Sequence, residues 1–412
     1  MRLAAGLSAV LLSAAGVAAP VERDWPQWGG PSRDFSVEDP GLVEAWPAEG
    51  PRRLWTQPLG DGFSAIVGTA AAAYAVYREG ADDVTVALRP ATGERLWERR
   101  VTAPFKETCS FRLGAVPRAT PLVSGRLLFV LSAGGKLTAF DREAGELVWQ
   151  RELLAEHPEA ARACGFSSSP LAFGDTLVVQ TGAPGAALVA LRQRDGSVVW
   201  RRHDFANGYA SPILVSAQGR RQLVAFMARE IVGVEPLQGD LLWRHPHPTE
   251  SDVNASTPVW SDGLLFVSSG YDGGSRVVRV PGQGGAASVE EVWAHKRMRV
   301  HFGTALRIGD VVYGSNGDFG PAPFTAVDLR SGQVLWRDRA VGRASGIVVG
   351  GRMLLLDEEG VLALATPTAE GLRVHARAQV LAREAWTPPT LVGTTLLVRD
   401  RRTIAAYDLA RR

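Results

Sequence analysis

Short apolar runs alternate with polar turns along nearly the whole chain. Within each run apolar and small polar residues take turns, the period-two pattern of a strand with one buried face. Helical spacing is scarce, and LLAEHPEAARA at 153–163 is the one short candidate. In a representative stretch, TPLVSG, RLLFVLSAGG and KLTAFD lead into a polar turn and then ELVW. That order predicts four short strands in succession.

The fourth strand carries a mark. A small residue, a Gly and a Trp recur at fixed spacing as Ala87-Gly93-Trp97, Ala139-Gly145-Trp149, Ala190-Gly196-Trp200, Gly233-Gly239-Trp243 and Ala326-Gly332-Trp336. The Gly supplies the left-handed backbone of a tight turn between two strands. Trp55, Trp97, Trp149, Trp200, Trp243, Trp293 and Trp336 fall roughly 40–50 residues apart, the period of a four-stranded propeller blade. They are expected to pack between blades, because one repeated position cannot floor a single cofactor seven times.

Imperfect copies set the blade count. A Gly-rich stretch at 281–288 lengthens the turn before Trp293, and VLALATPTAEGLRVHA has no Trp. The last copy, TIAAYDLARR, ends before any outer strand, while RRLWTQPLG around Trp55 is an outer strand with no inner strands ahead of it. The two fragments complete one another. The expected fold is an all-β, eight-bladed propeller of four-stranded antiparallel blades over 51–412, closed by the N-terminal strand. Closure removes an open sheet edge. Ser64, Thr120, Ser169, Ser211, Thr257, Thr304, Ser345 and Thr387 open the inner strands and form a predicted ring of hydroxyls. The reading favoured for the ring is backbone satisfaction at crowded strand starts; a polar small-molecule site is the alternative.

Composition narrows the setting. The chain has 412 residues, 46% of them hydrophobic, enough for a large core. Lys+Arg 45 against Asp+Glu 43 leaves little net charge, so neither nucleic acid nor an anionic membrane is implied. Residues 1–19, MRLAAGLSAVLLSAAGVAA, read as a cleaved export signal, which places the protein in the periplasm or outside the cell, with a short membrane anchor as the alternative. No later stretch has the length of a membrane span, and no Cys lies near the signal to take a lipid. The leader at 20–50 contains Trp25 and Trp28, expected in a strap on the propeller flank, with a partner-binding strip as the alternative. Cys109 and Cys164 lie in loops entering consecutive blades on the same face, and export permits the disulfide between them.

These residues resemble the PQQ-binding-like β-propeller repeat family. The Ala-x-Asp-x-x-x-Gly-x-x-x-Trp pattern looks like its tryptophan-docking motif, and DWPQWGGPSRD at 24–34 looks like the opening of its exported bacterial members. The resemblance implies one of two functional groups. Quinoprotein dehydrogenases of alcohols or sugars hold pyrroloquinoline quinone and Ca²⁺ in the channel, under an adjacent Cys–Cys bridge and long insertions. BamB-like propellers are non-catalytic assembly scaffolds. Here the cysteines are far apart and the units nearly minimal. The expectation is therefore a monomeric binding or assembly scaffold with protein partners and no cofactor; the quinone enzyme is the alternative.

Candidate ligand residues gather in the later blades. Asn254, Asn316 and Asp318 carry oxygens suited to Ca²⁺, while His301 and Asp318 suit acid–base work. Asp252, Tyr271 and Asp272 accompany them. Arg118 and Arg343 hold matching positions two residues before their ring hydroxyls and could grip an anion, and Tyr209 joins the channel-lining set. Against all of these stands the plainer reading that Asp, Asn and Gly form turns and that Arg pairs with loop carboxylates. No catalytic residue is assigned.

Overall fold

A computed structural model describes residues 24–109, 114–160, 163–282, 289–318, 320 and 322–411. The export signal lies outside them. Among the described residues eight four-stranded antiparallel blades follow one another along the chain, each ordered from an inner to an outer strand, and one of them takes a further strand on its inner edge. The first blade runs from Val67–Gly68 through Ala73–Glu79 and Asp82–Leu88 to Arg95–Thr102. The eighth has three consecutive strands, Thr390–Val392, Thr395–Arg399 and Thr403–Asp408. Its outer strand is Arg52–Pro58, which pairs antiparallel with Thr403–Asp408 and sets Trp55 opposite Ala406. The ring is thus closed by the N-terminal strand. The helical candidate yields one turn, Leu153–Glu156, followed by a 3-10 turn at Pro158–Ala160.

The repeat's three marked residues have separate jobs. In the third blade Ala190 faces Trp200, and a register shift follows at once, so that Leu191 faces Val198. The small side chain opposite leaves room for the indole. Each ring except that of Trp243 then reaches the next blade. An added Cβ on Gly93, Gly145, Gly196, Gly239 or Gly332 would fall 2.6–2.8 Å or closer to ring or neighbouring atoms, so these turns need Gly for space as well as for positive φ. The indole nitrogens donate to turn carbonyls across the same junctions: Trp55 to Pro90 at 2.8 Å, Trp97 to Arg142 at 3.0 Å, Trp149 to Gln193 at 2.7 Å, Trp293 to Leu329 at 2.8 Å. Trp200 and Trp336 do likewise, to Pro236 and Thr368.

Trp243 departs from the pattern. It lies on its own blade against Gly233, and its nitrogen donates to Gln222 Oε1 at 2.6 Å. The following blade is the one with the lengthened turn, and Gln222 Nε2 donates to Pro281 there. The ring folds inward into the space that Gly233 leaves.

The hydroxyl ring stitches inner strands to one another. Ser169 Oγ accepts from Thr120 N and Ser211 Oγ accepts from Ser169 N, both at 2.9 Å. Ser64 Oγ donates to Ala119 O at 2.9 Å, and Thr387 Oγ1 donates to Phe63 O at 3.2 Å. These hydroxyls satisfy backbone groups, as crowded strand starts require.

The leader does not take the course expected of a flank strap. It enters the central channel. Trp25 and Gly68 exchange backbone hydrogen bonds of 2.7 and 2.8 Å on the first blade's inner strand. Ser36–Val37 adds a parallel strand to Ala344–Val349, the inner strand of the seventh blade. Between these points the chain turns at Gly29 and Gly30, with φ of 72° and 77°. The leader brings apolar side chains with it: Trp25 and Phe35 are buried in the largest core cluster, with Trp28 and Val37 packed against it, and the Trp28 and Phe35 rings meet edge to face at 5.1 Å.

Candidate functional site

The loops that carry each outer strand into the next inner strand share one face with the turns joining second and third strands. His301 lies in such a loop, between Glu290–His295 and Leu306–Ile308. Asp318 lies in the turn between Val311–Ser315 and Phe324–Asp328, and Tyr271 in the turn between Leu264–Ser269 and Gly274–Arg279. The architecture thus brings three sequence-distant segments together at the junction of the fifth and sixth blades.

Gly270 is what lets them meet. A Cβ there would fall 2.9 Å from His301 Nδ1 and 3.0 Å from Asp318 Oδ1. The Tyr271 and His301 rings meet edge to face at 4.6 Å, and Tyr271 N donates to Asp318 Oδ2 at 3.1 Å. Arg299 approaches that carboxylate at 3.5 Å. Arg343 braces the turn from the next blade, donating to Gly317 O at 3.0 Å and Asp318 O at 3.1 Å. His301 is only 2% exposed, and burial lowers its pKa to about 4 although the Asp318 charge opposes the shift. Neither His301 ring nitrogen, nor Asp318 Oδ1, has a hydrogen-bond partner among the described residues. The imidazole is therefore neutral at physiological pH and is a hydrogen-bonding group rather than a cation. Phe302 beside it is 48% exposed on the same face.

The other predicted residues are committed to the frame. Asn254 donates from Nδ2 to Met227 O, Ala228 O and His247 O at 2.8–3.2 Å, while Ser269 Oγ donates to its Oδ1. Its amide nitrogen pins one loop to a turn, and its oxygen is held by the Ser269 hydroxyl. Asn316 accepts from Arg299 N at 2.9 Å and donates to Arg297 O at 3.0 Å. Tyr209 is fixed through its backbone, its N donating to Asn254 O at 2.8 Å. Asp252 pairs with Arg229, and Asp272 with Lys296. The plainer readings describe these contacts.

Arg118 belongs to a second cluster. It pairs with Glu107 at 2.6 Å, donates to Gly114 O at 2.7 Å and also donates to Cys164 O. Cys109 and Cys164 are bonded to one another, with Cα atoms 5.1 Å apart. Burial lowers the Arg118 pKa, and Glu107 works against that. Arg118 and Arg343 are thus brought to matching positions but not to one site.

The leader supplies one residue that sequence reasoning missed, Arg33, and places Trp28, expected in a flank strap, among the inner strands. Trp28 Nε1 donates to the ring hydroxyl of Thr257 at 2.8 Å. Arg33, 4% exposed, donates from Nε to Pro212 O and from Nη1 to Pro170 O, both at 2.9 Å, and from Nη2 to Ser169 O at 3.3 Å. Gln27 Oε1 accepts a further bond at 3.2 Å. Burial lowers the Arg33 pKa to about 9. The only available signal was the density of Gly, Trp and Arg in DWPQWGGPSRD, which does not say where they go.

The family described as outer membrane protein assembly factor BamB matches residues 40–208 and 203–338. The chain belongs to this family. An outer membrane protein assembly factor BamB from Yersinia pestis is 24% identical over 302 residues, covering 68% of this chain and 71% of that protein. The quinoprotein alcohol dehydrogenase PedH from Pseudomonas putida is 28% identical over 225 residues, covering 48% of this chain and 36% of that enzyme. The crystal structure of BamB from Moraxella catarrhalis superposes with a TM-score of 0.64 at 16% identity, covering 87% of this chain and 100% of that one, a likeness of fold.

Proposed function

We propose that this BamB-family propeller is an exported, non-catalytic scaffold that binds partner proteins through its loop-rich face and takes no quinone. The observation that carries the reading is the leader lying across the channel at the level of the inner-strand starts, with Trp28 and Arg33 bonded there. A quinone held in the channel would compete with those bonds. The residues around that level also suit the cofactor poorly. The cysteines are 55 residues apart in sequence rather than adjacent. On the loop face, by contrast, Phe302 is exposed, and Trp386, 38% exposed, stacks on Phe63 at 5.0 Å. Exposed aromatics on loops held by a rigid frame suit protein recognition. Among the described residues no helix is long and apolar enough to cross a membrane.

Two measurements test this. Purified protein titrated with pyrroloquinoline quinone and Ca²⁺ is expected to give neither a bound-quinone spectrum nor dye reduction across an alcohol panel. Micromolar binding with turnover, lost in Asp318→Ala, would reverse the reading. A photo-crosslinking residue at Phe302 in the native host is expected to capture a discrete protein, whereas one at Leu147 on the blade rim is not. Equal, diffuse capture at both would remove the loop face as the binding surface.

A further inference from the structure

We infer that the channel is itself a peptide-binding site, filled in cis by the leader, and that its ligand class is an extended hairpin with a Trp ahead of a Gly-Gly turn and an arginine behind it. The inference goes beyond the scaffold reading and does not depend on it.

The leader is held as a ligand is held. Its main chain adds to exposed inner edges: Val123 N donates to Pro26 O at 2.8 Å, Val348 N to Phe35 O at 2.7 Å, and Gly350 N to Val37 O at 3.0 Å. Strand addition of this kind gives affinity with little regard to sequence. Trp25 and Phe35 bury their rings against the blades, and directional selectivity comes from two further side chains. Trp28 finds the Thr257 hydroxyl. Arg33 enters a surface of three backbone carbonyls from two blades, and its contacts include no carboxylate among the described residues. Such a surface only accepts, and its spread matches a planar fork with donors on every nitrogen. A lysine would bring one point of donation and a neutral residue none. The turn is selective too, since a Cβ on Gly30 would lie 3.0 Å from the Trp25 ring.

The leader joins the propeller through an exposed stretch that includes Ala48 and Glu49. The tether holds it at an effective concentration of order mM, which keeps the site filled by its own copy. A segment of the same chemistry from another polypeptide is then a competitor for one defined site.

The test uses the full chain with a protease site inserted between Ala48 and Glu49. It is cut after folding and followed by gel filtration, circular dichroism and anisotropy of a labelled peptide of residues 24–48. The inference predicts that the cut leader stays bound, exchanges with the labelled peptide, and leaves a folded propeller when diluted away. It also predicts at least tenfold weaker binding by the Arg33→Ala peptide, and no uptake of label by uncut protein. Equal binding of the two peptides, failure of any peptide to exchange, or unfolding whenever the leader departs would overturn it; the last would make the leader an integral strand rather than a ligand.

Discussion

Trp243 lies so close to Gly233 of its own blade that a Cβ on the glycine would fall 2.2 Å from the indole. Every intact sister repeat has Ala at that place, and their rings turn outward to the next blade. The glycine and the inward ring go together: the missing Cβ leaves the space the indole fills. Gly233→Ala is therefore expected to lower stability by about 1–3 kcal/mol, the usual cost of overpacking. Calorimetry reads it as a lower Tm, and an unchanged Tm would show that the ring has room to move.

Acid should destabilise the fold through two buried histidines. His247 is fully buried, edge to face with Phe226 at 5.0 Å, and burial lowers its pKa to about 3. His301 is lowered to about 4. The unfolded chain takes protons on both near pH 6.5, while the folded chain refuses them until much lower pH. Their contribution to stability is thus complete above pH 6.5. It falls as pH drops from there and levels off below about 4 for His301 and about 3 for His247. The loss by pH 4 is about 3 kcal/mol for each, at 1.36 kcal/mol per unit. Burial raises the Asp83 pKa to about 7 and gives an opposing slope over the same range, so the histidine contribution is read as a difference: denaturant melts of wild type and His247→Phe across pH 4–7 should diverge by it, and parallel slopes in the two proteins would contradict the assignment.

Reducing the Cys109–Cys164 bond should weaken the fold. It closes a loop of 55 residues, for which chain entropy gives up to about 4 kcal/mol. Unfolding in urea with and without reductant measures the difference. Superimposed curves would mean that the Glu107–Arg118 pair and the contact of Arg118 with Cys164 O hold these loops unaided.

The blades were legible because the residues that make them are constrained twice. Gly145 must turn the backbone and also admit Trp97, so neither residue can drift. The closing strand was legible for a related reason: Trp55 carried the outer-strand mark without the strands that normally precede it. The leader's path was not. Trp28 and Arg33 make their bonds to Thr257 and Pro212, more than a hundred residues away, and to groups present in every blade. Nothing local distinguishes a segment inside the ring from one on a flank. The cluster of His301 with Asp318 was half legible. Both residues stood out as chemistry-bearing, but their approach depends on Gly270, whose role lies in the side chain it lacks.

The leader's place in the channel is the claim on which the functional reading turns, and a designed crosslink tests it directly. Ser36 and Val348 are register partners on the parallel pair. Ser36→Cys with Val348→Cys, oxidised and mapped by non-reducing peptide mass spectrometry, should give a new linked peptide alongside Cys109–Cys164, in monomeric folded protein. Free thiols at both new positions after oxidation would place the leader elsewhere and contradict the account.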